Sequence, residues 1–273
     1  MQTTTYTGKP EFRGDAAVMA RRLFGPAVLA GLLGGLAMIV VMILVMGAAG
    51  MGYATPLNLG MAAFVMTITP PASMLPSLMG MMGIHLPPAA MAKLTMALHS
   101  GHMSPAMMKS FGSMLMSMHV PMTTINQMGL LMSGHATNST TASLMSMMSP
   151  SARAMVMNAM PVSAGHVVAG TILHFAFAAF LGLAFAAVIG AAAWARVPGM
   201  RTPGGIISAG VVGGAIVYVI MRWGLLPPTN PLMAFVPQIA FFLAHLLFGL
   251  VVGTVLAVAL RRSAVTGALP ASR

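Results

Sequence analysis

The sequence predicts an all-α integral membrane protein that crosses the bilayer four times. Of its 273 residues, 58% are hydrophobic and only 5% are charged. A water-soluble domain carries roughly 25% charged residues, because its surface faces water. Four apolar stretches are each long enough to cross the roughly 30 Å of hydrocarbon in a bilayer. We therefore expect lipid to be the main solvent of this chain.

The four stretches divide the chain into spans, tails and one long insertion. The predicted spans are residues 24–50, 167–195, 205–226 and 237–260. The other main segments are a basic tail over 1–23, an insertion over 51–165 and a second tail over 261–273. The first span follows basic residues, as the apolar part of a signal peptide does. It is longer than that part, and no clear small-residue cleavage site follows it directly, so we expect a retained helix.

The positive charges predict the orientation of the spans. Nine of the 13 Lys and Arg residues lie in the two tails and in the connection between the second and third spans. The other four are Lys93, Lys109, Arg153 and Arg222. Lys and Arg are enriched in cytoplasmic loops. We therefore expect both termini in the cytoplasm of a bacterial cell, and residues 51–165 outside its inner membrane.

The rarity of acidic residues and the lack of cysteine exclude several chemistries. The only carboxylate side chains are those of Glu11 and Asp15, and the chain has no Cys. Residues 16–273 therefore contain no paired carboxylates for acid–base catalysis and no Ser-His-Asp triad. They also lack the carboxylates of a Ca²⁺ or Mg²⁺ cage and the thiolates of a zinc site. We expect no enzyme activity, and the thinly spread charge of +11 predicts no nucleic-acid partner.

The first and third spans contain similar glycine-rich segments. Ala30–Gly35 reads AGLLGG and Ala209–Gly214 reads AGVVGG, while His174 and His245 lie at matched depth in the second and fourth spans. This pattern predicts two repeated helical hairpins, related by a pseudo-twofold axis along the membrane normal. Small residues on such faces let helix backbones approach closely in lipid.

These motifs carry a resemblance to known proteins. The glycine-rich first and third spans, together with His245 and Gly249 spaced as His-x-x-x-Gly, resemble uncharacterised bacterial four-helix membrane proteins. The resemblance covers the four spans and leaves out the insertion. It implies a four-helix membrane fold and no particular activity.

The insertion is rich in methionine and histidine. Residues 61–160 hold 23 of the 32 Met, and five of the eight His lie there as well. Proline and glycine divide the segment into short helices. We expect one helix from the Ser104 N-cap to His119, a second from Pro121 to Gly134, and a third beginning at Pro150. The polar segment His135–Thr141 predicts a loop.

Met-x-x-His recurs four times in the insertion and suggests a metal site. Residues three apart share a helix face, so a thioether and an imidazole can converge on one ion. Soft thioethers with imidazole, and without thiolate or carboxylate, suit Cu(I). His99 and His102 also form a His-x-x-His beside Met103. The predicted ligands are Met82, His85, Met96, His99, His102, Met103, Met116, His119, Met132 and His135.

The spans themselves hold a second candidate site. Met38, Met42 and Met46 recur every four residues along the first span, and this stripe is similar to the Met-x-x-x-Met ladder of eukaryotic copper importers. An ionisable residue within a span is a functional candidate, so His174 and His245 are candidate ligands of a metal or, as a further alternative, of a haem. The structural alternatives are helix packing by the methionines and neutral histidines that are hydrogen-bonded to neighbouring helices.

Two functions from different classes follow from these patterns. The first is Cu(I) binding on the outer side, for uptake, delivery to a membrane cuproenzyme, or tolerance. The second is a structural accessory subunit of a larger respiratory or oxidase-type membrane complex. In the second case the methionines are apolar packing residues, as in the stripe formed by Met107, Phe111, Met114 and Met118.

Overall fold

The computed structural model describes residues 12–50, 67–100, 103–160 and 162–267. These residues form eleven α-helices, and none of them is in a β-strand. The helices are α1 (Phe12–Ala48), α2 (Leu75–Met81), α3 (Pro88–Ser100), α4 (Pro105–Ser117), α5 (Met122–Met132), α6 (Asn138–Ser146), α7 (Pro150–Ala159), α8 (Ala164–Trp194), α9 (Pro203–Val219), α10 (Leu226–Thr229) and α11 (Gln238–Gly267). A π-helix over Ile220–Leu225 joins α9 to α10, and a 3₁₀ turn over Pro231–Phe235 precedes α11.

Four helical segments are long and apolar enough to cross a membrane, so the predicted all-α membrane protein is confirmed. They are Leu23–Ala48, Ala164–Ala193, Pro203–Thr229 and Gln238–Arg262. Each begins and ends within a few residues of its predicted span. The third segment extends furthest beyond the prediction, because the π-helix and α10 continue it to Thr229.

The chain forms two compact units. Unit 1 comprises Met1–Met38, Phe175–Ile216 and His245–Arg273, and unit 2 comprises Ile39–His174 and Val217–Ala244. Unit 1 therefore holds one part of each long helix. Unit 2 holds the remaining parts together with the whole of the insertion.

Helices α1 and α8 pack backbone against backbone in unit 1. A Cβ built on Gly31 would overlap the carbonyl oxygen of Ala178, and one built on Gly182 would overlap the carbonyl oxygen of Ala27. The two helices run antiparallel at this contact, since the residue numbers rise on one as they fall on the other. Only glycine, whose side chain is a single hydrogen atom, fits at Gly31 and Gly182.

Helices α9 and α11 of unit 1 pack in the same manner. A Cβ on Gly210 would overlap the carbonyl oxygen of Gly249, and a Cβ on Gly214 would overlap that of His245. Gly253 faces the carbonyl oxygen of Ile206, 3.0 Å from the position of a Cβ. This pair is also antiparallel, and its contact again depends on glycine.

Two phenylalanine rings fill the space beside further glycines of unit 1. Phe248 on α11 lies over Gly34 of α1, and Phe185 on α8 lies over Gly213 of α9. The two rings meet edge to face with their centroids 6.1 Å apart. Because neither glycine carries a Cβ, these positions are open to a ring from another helix.

The insertion folds around its own apolar core in unit 2. Fully buried side chains come from several helices, including Leu78, Leu115, Met128, Leu144 and Val156. Six methionines of this cluster are buried, and they are Met79, Met128, Met145, Met148, Met157 and Met160. Most methionines of the insertion therefore serve as apolar core or packing residues, as the flexible thioether side chain allows.

Most of each predicted stripe packs on the core of the insertion. In the α4 stripe these residues are Phe111, Met114 and Met118, and in α5, where the predicted stripe is Met122, Ile125, Met128 and Met132, they are the last three. In α4 the buried residues are Phe111 and Leu115, whereas Met107 is exposed. In α5 Met128 and Leu131 are buried, whereas Met122 is exposed. The predicted stripes follow from methionine spacing alone. Leu115 and Leu131 complete the buried faces, so the centre of each face lies away from the first methionine of its stripe.

Helix starts in the insertion agree with the sequence at two places. Ser104 accepts a hydrogen bond from the Met107 amide at 3.2 Å, which confirms it as the N-cap of α4. Ser149 accepts one from the Ala152 amide at 3.2 Å and caps α7. In both helices proline follows the cap, where its missing N–H costs nothing.

The predicted loop over residues 135–141 is wrong from residue 138 onward. Thr137 and Thr140 form a capping box, and α6 begins at Asn138. The side chain of Asn138 accepts a hydrogen bond from the Ile68 amide at 2.7 Å, and Thr141 donates one to the Ile68 carbonyl at 3.1 Å. The polar composition that favoured a loop instead supplies a helix cap and two long-range hydrogen bonds.

The glycine contact between α9 and α11 predicts that alanine at Gly249 destabilises the fold, whereas alanine at a control glycine outside the contact does not. We expect Gly249→Ala to lower the free energy of unfolding by about 1–3 kcal/mol, since the added methyl group overpacks a backbone contact. Gly190, inside α8, has nothing within 4 Å of a Cβ. Gly190→Ala should therefore raise stability by roughly 0.5–1 kcal/mol. Thermal unfolding in detergent, followed by circular dichroism, measures both, and equal effects of the two changes would contradict the contact.

Candidate functional site

Helices α2, α4 and α5 of the insertion end in the same hydrogen-bonded reversal. The amide of Ile84 donates to the Met79 carbonyl at 2.8 Å, and that of Val120 donates to Leu115 at 3.1 Å. The amide of His135 makes the equivalent bond to Leu130 at 2.9 Å. This pattern closes a helix when the preceding residue adopts a left-handed conformation.

The left-handed residues at these three ends are not all glycine. Gly83 has φ 76° and Gly134 has φ 73°, but the equivalent residue at the end of α4 is His119, with φ 60°. A side chain is disfavoured in this conformation, although histidine tolerates it better than bulky residues do. His119 therefore stands where the other two helices use glycine.

The four predicted Met-x-x-His pairs fall into two structural groups. In three of them the methionine lies in or just after the last helical turn, and the histidine lies at or beyond the reversal. These histidines are His85, His119 and His135. Met96 and His99 both lie within α3, so the shared helix face applies to this pair alone.

Exposure separates the pairs further. The histidines His85, His99, His119 and His135 are all exposed. Met96 is 72% exposed and Met116 is 47% exposed, whereas Met82 and Met132 are partly buried against the core of the insertion. Two pairs, Met96 with His99 and Met116 with His119, therefore present both of their side chains at the surface.

His99 makes one hydrogen bond through its ring. Its Nδ1 lies 3.3 Å from the Thr95 carbonyl oxygen. Because a carbonyl oxygen only accepts, Nδ1 is the donor in this contact, and in the neutral imidazole Nε2 is then the nitrogen whose lone pair can bind a metal.

The His-x-x-His motif is only partly visible. His102 lies outside the described residues, and Met103 is partly buried against the core of the insertion. In the described part of the chain, no three His, Cys, Asp or Glu side chains lie close enough together to hold one metal ion.

The candidate residues of the spans belong to different units. His245 is in unit 1 and only 2% exposed, whereas His174 is in unit 2 and partly buried. Met38 packs against the core of unit 1. In unit 2, Met42 packs beside a cluster of aromatic and apolar residues, and Met46 is buried.

The hydroxyl groups of Thr171 and Ser208 are candidate hydrogen-bond partners for these histidines. One of them, Thr171, donates its hydroxyl proton to the Val167 carbonyl of its own helix at 2.7 Å. The other, Ser208, is exposed on α9. The hydroxyl proton of Thr171 is thus already engaged within α8.

Two arginines of unit 2 form an arrangement that the sequence analysis missed. Arg222, in the π-helix, donates from Nη1 to the Met233 carbonyl at 3.0 Å and from Nη2 to the Ala234 carbonyl at 3.3 Å. The guanidinium carbon of Arg153 lies 5.3 Å from the ring centroid of Phe235. From the sequence, both arginines serve only in the prediction of how the spans are oriented. The scarcity of acidic residues nevertheless indicates that their charges need other partners.

The fold and these residues define an α-helical integral membrane protein with a methionine-rich helical insertion. No protein-family model, curated protein or solved structure matches the chain. The function is therefore inferred from the chemistry of the chain's own residues.

The left-handed conformation of His119 predicts the effect of replacing it. We expect His119→Gly to raise the free energy of unfolding by about 1 kcal/mol, because glycine adopts positive φ without steric cost. The control is Gly134→Ala, which places a side chain on the equivalent residue of α5 and should lower stability. Chemical or thermal unfolding of the full chain in detergent measures both. A loss of stability in His119→Gly would mean that the imidazole makes stabilising contacts of its own.

Proposed function

We propose that this membrane protein binds Cu(I) through methionine and histidine side chains on the surface of its insertion. The binding would serve uptake, delivery to a membrane cuproenzyme, or tolerance. The observation that carries the proposal is the pair formed by Met116 and His119. Both side chains are exposed, and His119 occupies a left-handed position that glycine fills at the ends of α2 and α5. Side chains retained in disfavoured backbone conformations are concentrated at functional sites.

A backbone hydrogen bond joins the two residues of the pair. The His119 amide donates to the Met116 carbonyl at 3.0 Å, so the two residues are neighbours within one reversal. Thioether sulfur and neutral imidazole are ligands for Cu(I), and the side chains described over residues 23–262 include no carboxylate that would favour a harder metal. Met96 and His99 offer the same two ligand types one helical turn apart on α3.

The proposal distinguishes two uses of methionine in the insertion. Met79, Met128 and Met145 are buried in the core, where their sulfurs are shielded from an ion in solvent. Met96 and Met116 are exposed. The partly buried Met82 and Met132, with His85 and His135, are ligands in this proposal only if side chains of the core move aside.

The internal repeat is part of the same proposal and is supported by matched backbone contacts. In the predicted repeat Gly31 corresponds to Gly210, and Ala178 corresponds to Gly249. Each of these glycines faces the carbonyl oxygen of the partner residue on the helix that it contacts. Under this repeat His174 and His245 hold equivalent positions in the second and fourth spans, and each of them is by itself a candidate ligand of a metal or a haem.

A second candidate function is that of a structural accessory subunit. The observation that favours it is a set of exposed methionines that are not followed by histidine three residues later. These are Met107, Met122, Met147 and Met155. Flexible methionines form adaptable contact surfaces, so a larger respiratory or oxidase-type complex is the partner that we propose in this case.

A pair of double variants tests the copper proposal in the full-length protein. Met96→Leu with Met116→Leu deletes two exposed sulfurs, while Met79→Leu with Met128→Leu is the buried control. Both exchanges approximately conserve volume. We expect the exposed variant to lose at least about tenfold in Cu(I) affinity, or about 1.4 kcal/mol of binding free energy. The control should keep its affinity. Competition titration with a Cu(I) chelator under reducing conditions measures both.

The titration also separates the two candidate functions. If the wild-type chain binds no Cu(I), or if the exposed variant binds as tightly as the wild type, the copper proposal is wrong. Unchanged affinity would then leave the accessory subunit as the better proposal. Loss of affinity in the buried control alone would place the ligands in the core and would contradict the exposed pairs.

The proposed topology places both termini in the cytoplasm and the insertion outside, and the absence of native cysteine makes it directly testable. Ser139, near the start of α6, and Val197, after α8, are both exposed. A Ser139→Cys variant should react with a membrane-impermeant maleimide in intact spheroplasts. Val197→Cys should react only after lysis, because it follows the second span on the proposed cytoplasmic side. The reverse labelling pattern would invert the topology and remove the insertion from the outer compartment.

A further inference from the structure

Arg153 and Arg222 bring two positive charges to one short turn. The guanidinium group of Arg222 binds the carbonyl oxygens of Met233 and Ala234, and that of Arg153 lies against the ring of the next residue, Phe235. All of these residues belong to unit 2. Both cations therefore lie at the 3₁₀ turn that precedes α11.

The side chains described around this turn supply no negative charge to balance them. From residue 16 onward the sequence contains no Asp or Glu, and its two carboxylate side chains, Glu11 and Asp15, belong to the N-terminal tail, outside the side chains that the structure describes. The partners of Arg222 are carbonyl oxygens, which are dipoles without net charge. The partner of Arg153 is an aromatic face, which attracts a cation and does not neutralise it.

Most N–H groups of the two arginines remain available. A guanidinium group has five N–H donors. Arg222 directs two of them to carbonyl oxygens, and Arg153 directs one, from Nε, to the Met148 carbonyl at 2.9 Å. Three donors of Arg222 and four donors of Arg153 are left without a protein acceptor among the described residues. Such planar sets of donors match the oxygens of phosphate, which they bind in pairs.

The surroundings indicate the level of the membrane at which this turn lies. Trp223, next to Arg222, is 61% exposed, and its ring meets that of Tyr218 edge to face at 5.4 Å. Trp and Tyr concentrate at the membrane–water interface. Arg222 also lies close to the end of the third span, which finishes at Thr229. Lipid phosphate groups occupy this level.

The backbone around Arg222 departs from regular α-helix. Residues 220–225 form a π-helix, whereas the flanking α9 and α10 are α-helical. A π-helical turn inside an α-helix is less stable than the regular form and is frequently found at functional sites. Here it lies at the position from which Arg222 reaches the carbonyl oxygens of the turn.

We propose that Arg153 and Arg222 form a binding site for a phosphate oxyanion at the turn Pro231–Phe235. The phosphate comes either from a phospholipid headgroup or from inorganic phosphate. It receives charge-assisted hydrogen bonds from the N–H groups that the protein leaves unused. The site is independent of the proposed Cu(I) ligands, because none of those methionines and histidines takes part in it.

Ligand-induced stabilisation of the full-length protein in a non-ionic detergent tests the site. The probes are short-chain phosphatidylglycerol, inorganic phosphate, and a short-chain diacylglycerol that has the same acyl chains and no phosphate. A ligand that binds only the folded state raises the unfolding temperature as its concentration rises. We expect a saturable rise with at least one phosphate probe and none with diacylglycerol. A response to phosphatidylglycerol alone assigns the phosphate to lipid, and an equal response to both assigns it to the free anion.

The variants are chosen to separate binding from folding. Arg153→Gln with Arg222→Gln removes both charges, and we expect the half-saturating concentration of the active probe to rise by roughly tenfold or more. Arg201→Gln is the matched control, because Arg201 also donates two hydrogen bonds to a carbonyl oxygen, that of Ala193, in unit 1. It should bind as the wild type does. If the double variant does not fold, Arg222→Lys keeps the charge, loses the paired donors and should still bind more weakly than the wild type.

Two results would overturn the site. One is a wild-type protein whose unfolding temperature responds to neither phosphate probe in a saturable manner. The other is a response of the same size and half-saturation in the folded arginine variant as in the wild type, since general stabilisation by phosphate salts acts on both proteins alike.

Discussion

Close contact between helix backbones is the interaction on which the membrane-spanning part of unit 1 depends. In lipid, apolar side chains gain little by leaving the solvent for one another, so helices associate through close packing and hydrogen bonds. Gly31 and Gly182 provide such a contact between α1 and α8, and Gly210 and Gly249 provide one between α9 and α11. The position of the Phe185 and Phe248 rings follows from the same constraint, because each ring occupies the space beside a glycine of another helix.

The near absence of carboxylates shapes how the rest of the chain uses its polar groups. Arg153, Arg201 and Arg222 donate hydrogen bonds to carbonyl oxygens, and Arg153 also lies against an aromatic ring. Helix ends in the insertion are closed by Ser and Thr caps, and by left-handed reversals, instead of ion pairs. The carbonyl oxygens and the aromatic ring that these arginines contact leave their positive charge without a described carboxylate to neutralise it.

The sequence predicted the parts of the fold that depend on local pattern. Long apolar stretches define spans by length alone, and the Ser-Pro pairs at Ser104 and Ser149 define helix starts through one local hydrogen bond each. The cap at Thr137 was missed because a capping box has the same composition as a polar loop. The sequence also could not predict which methionines of the insertion are buried and which are exposed. Met96 and Met128 have the same chemistry, and only tertiary packing leaves one exposed and buries the other.

The ends of the short helices explain part of the recurrence of Met-x-x-His in the insertion. Three of the four histidines follow a helix end, where a reversal needs a left-handed residue and where a cation or a hydrogen-bond donor interacts well with the last carbonyls. Helix termination thus explains why methionine, from the apolar last turn, precedes histidine by three residues. It does not explain His119, because glycine meets the requirement of the reversal better and is used at Gly83 and Gly134. The proposed Cu(I) site therefore depends on the identity of this one residue and on the exposure of Met116 beside it, and not on the number of repeats.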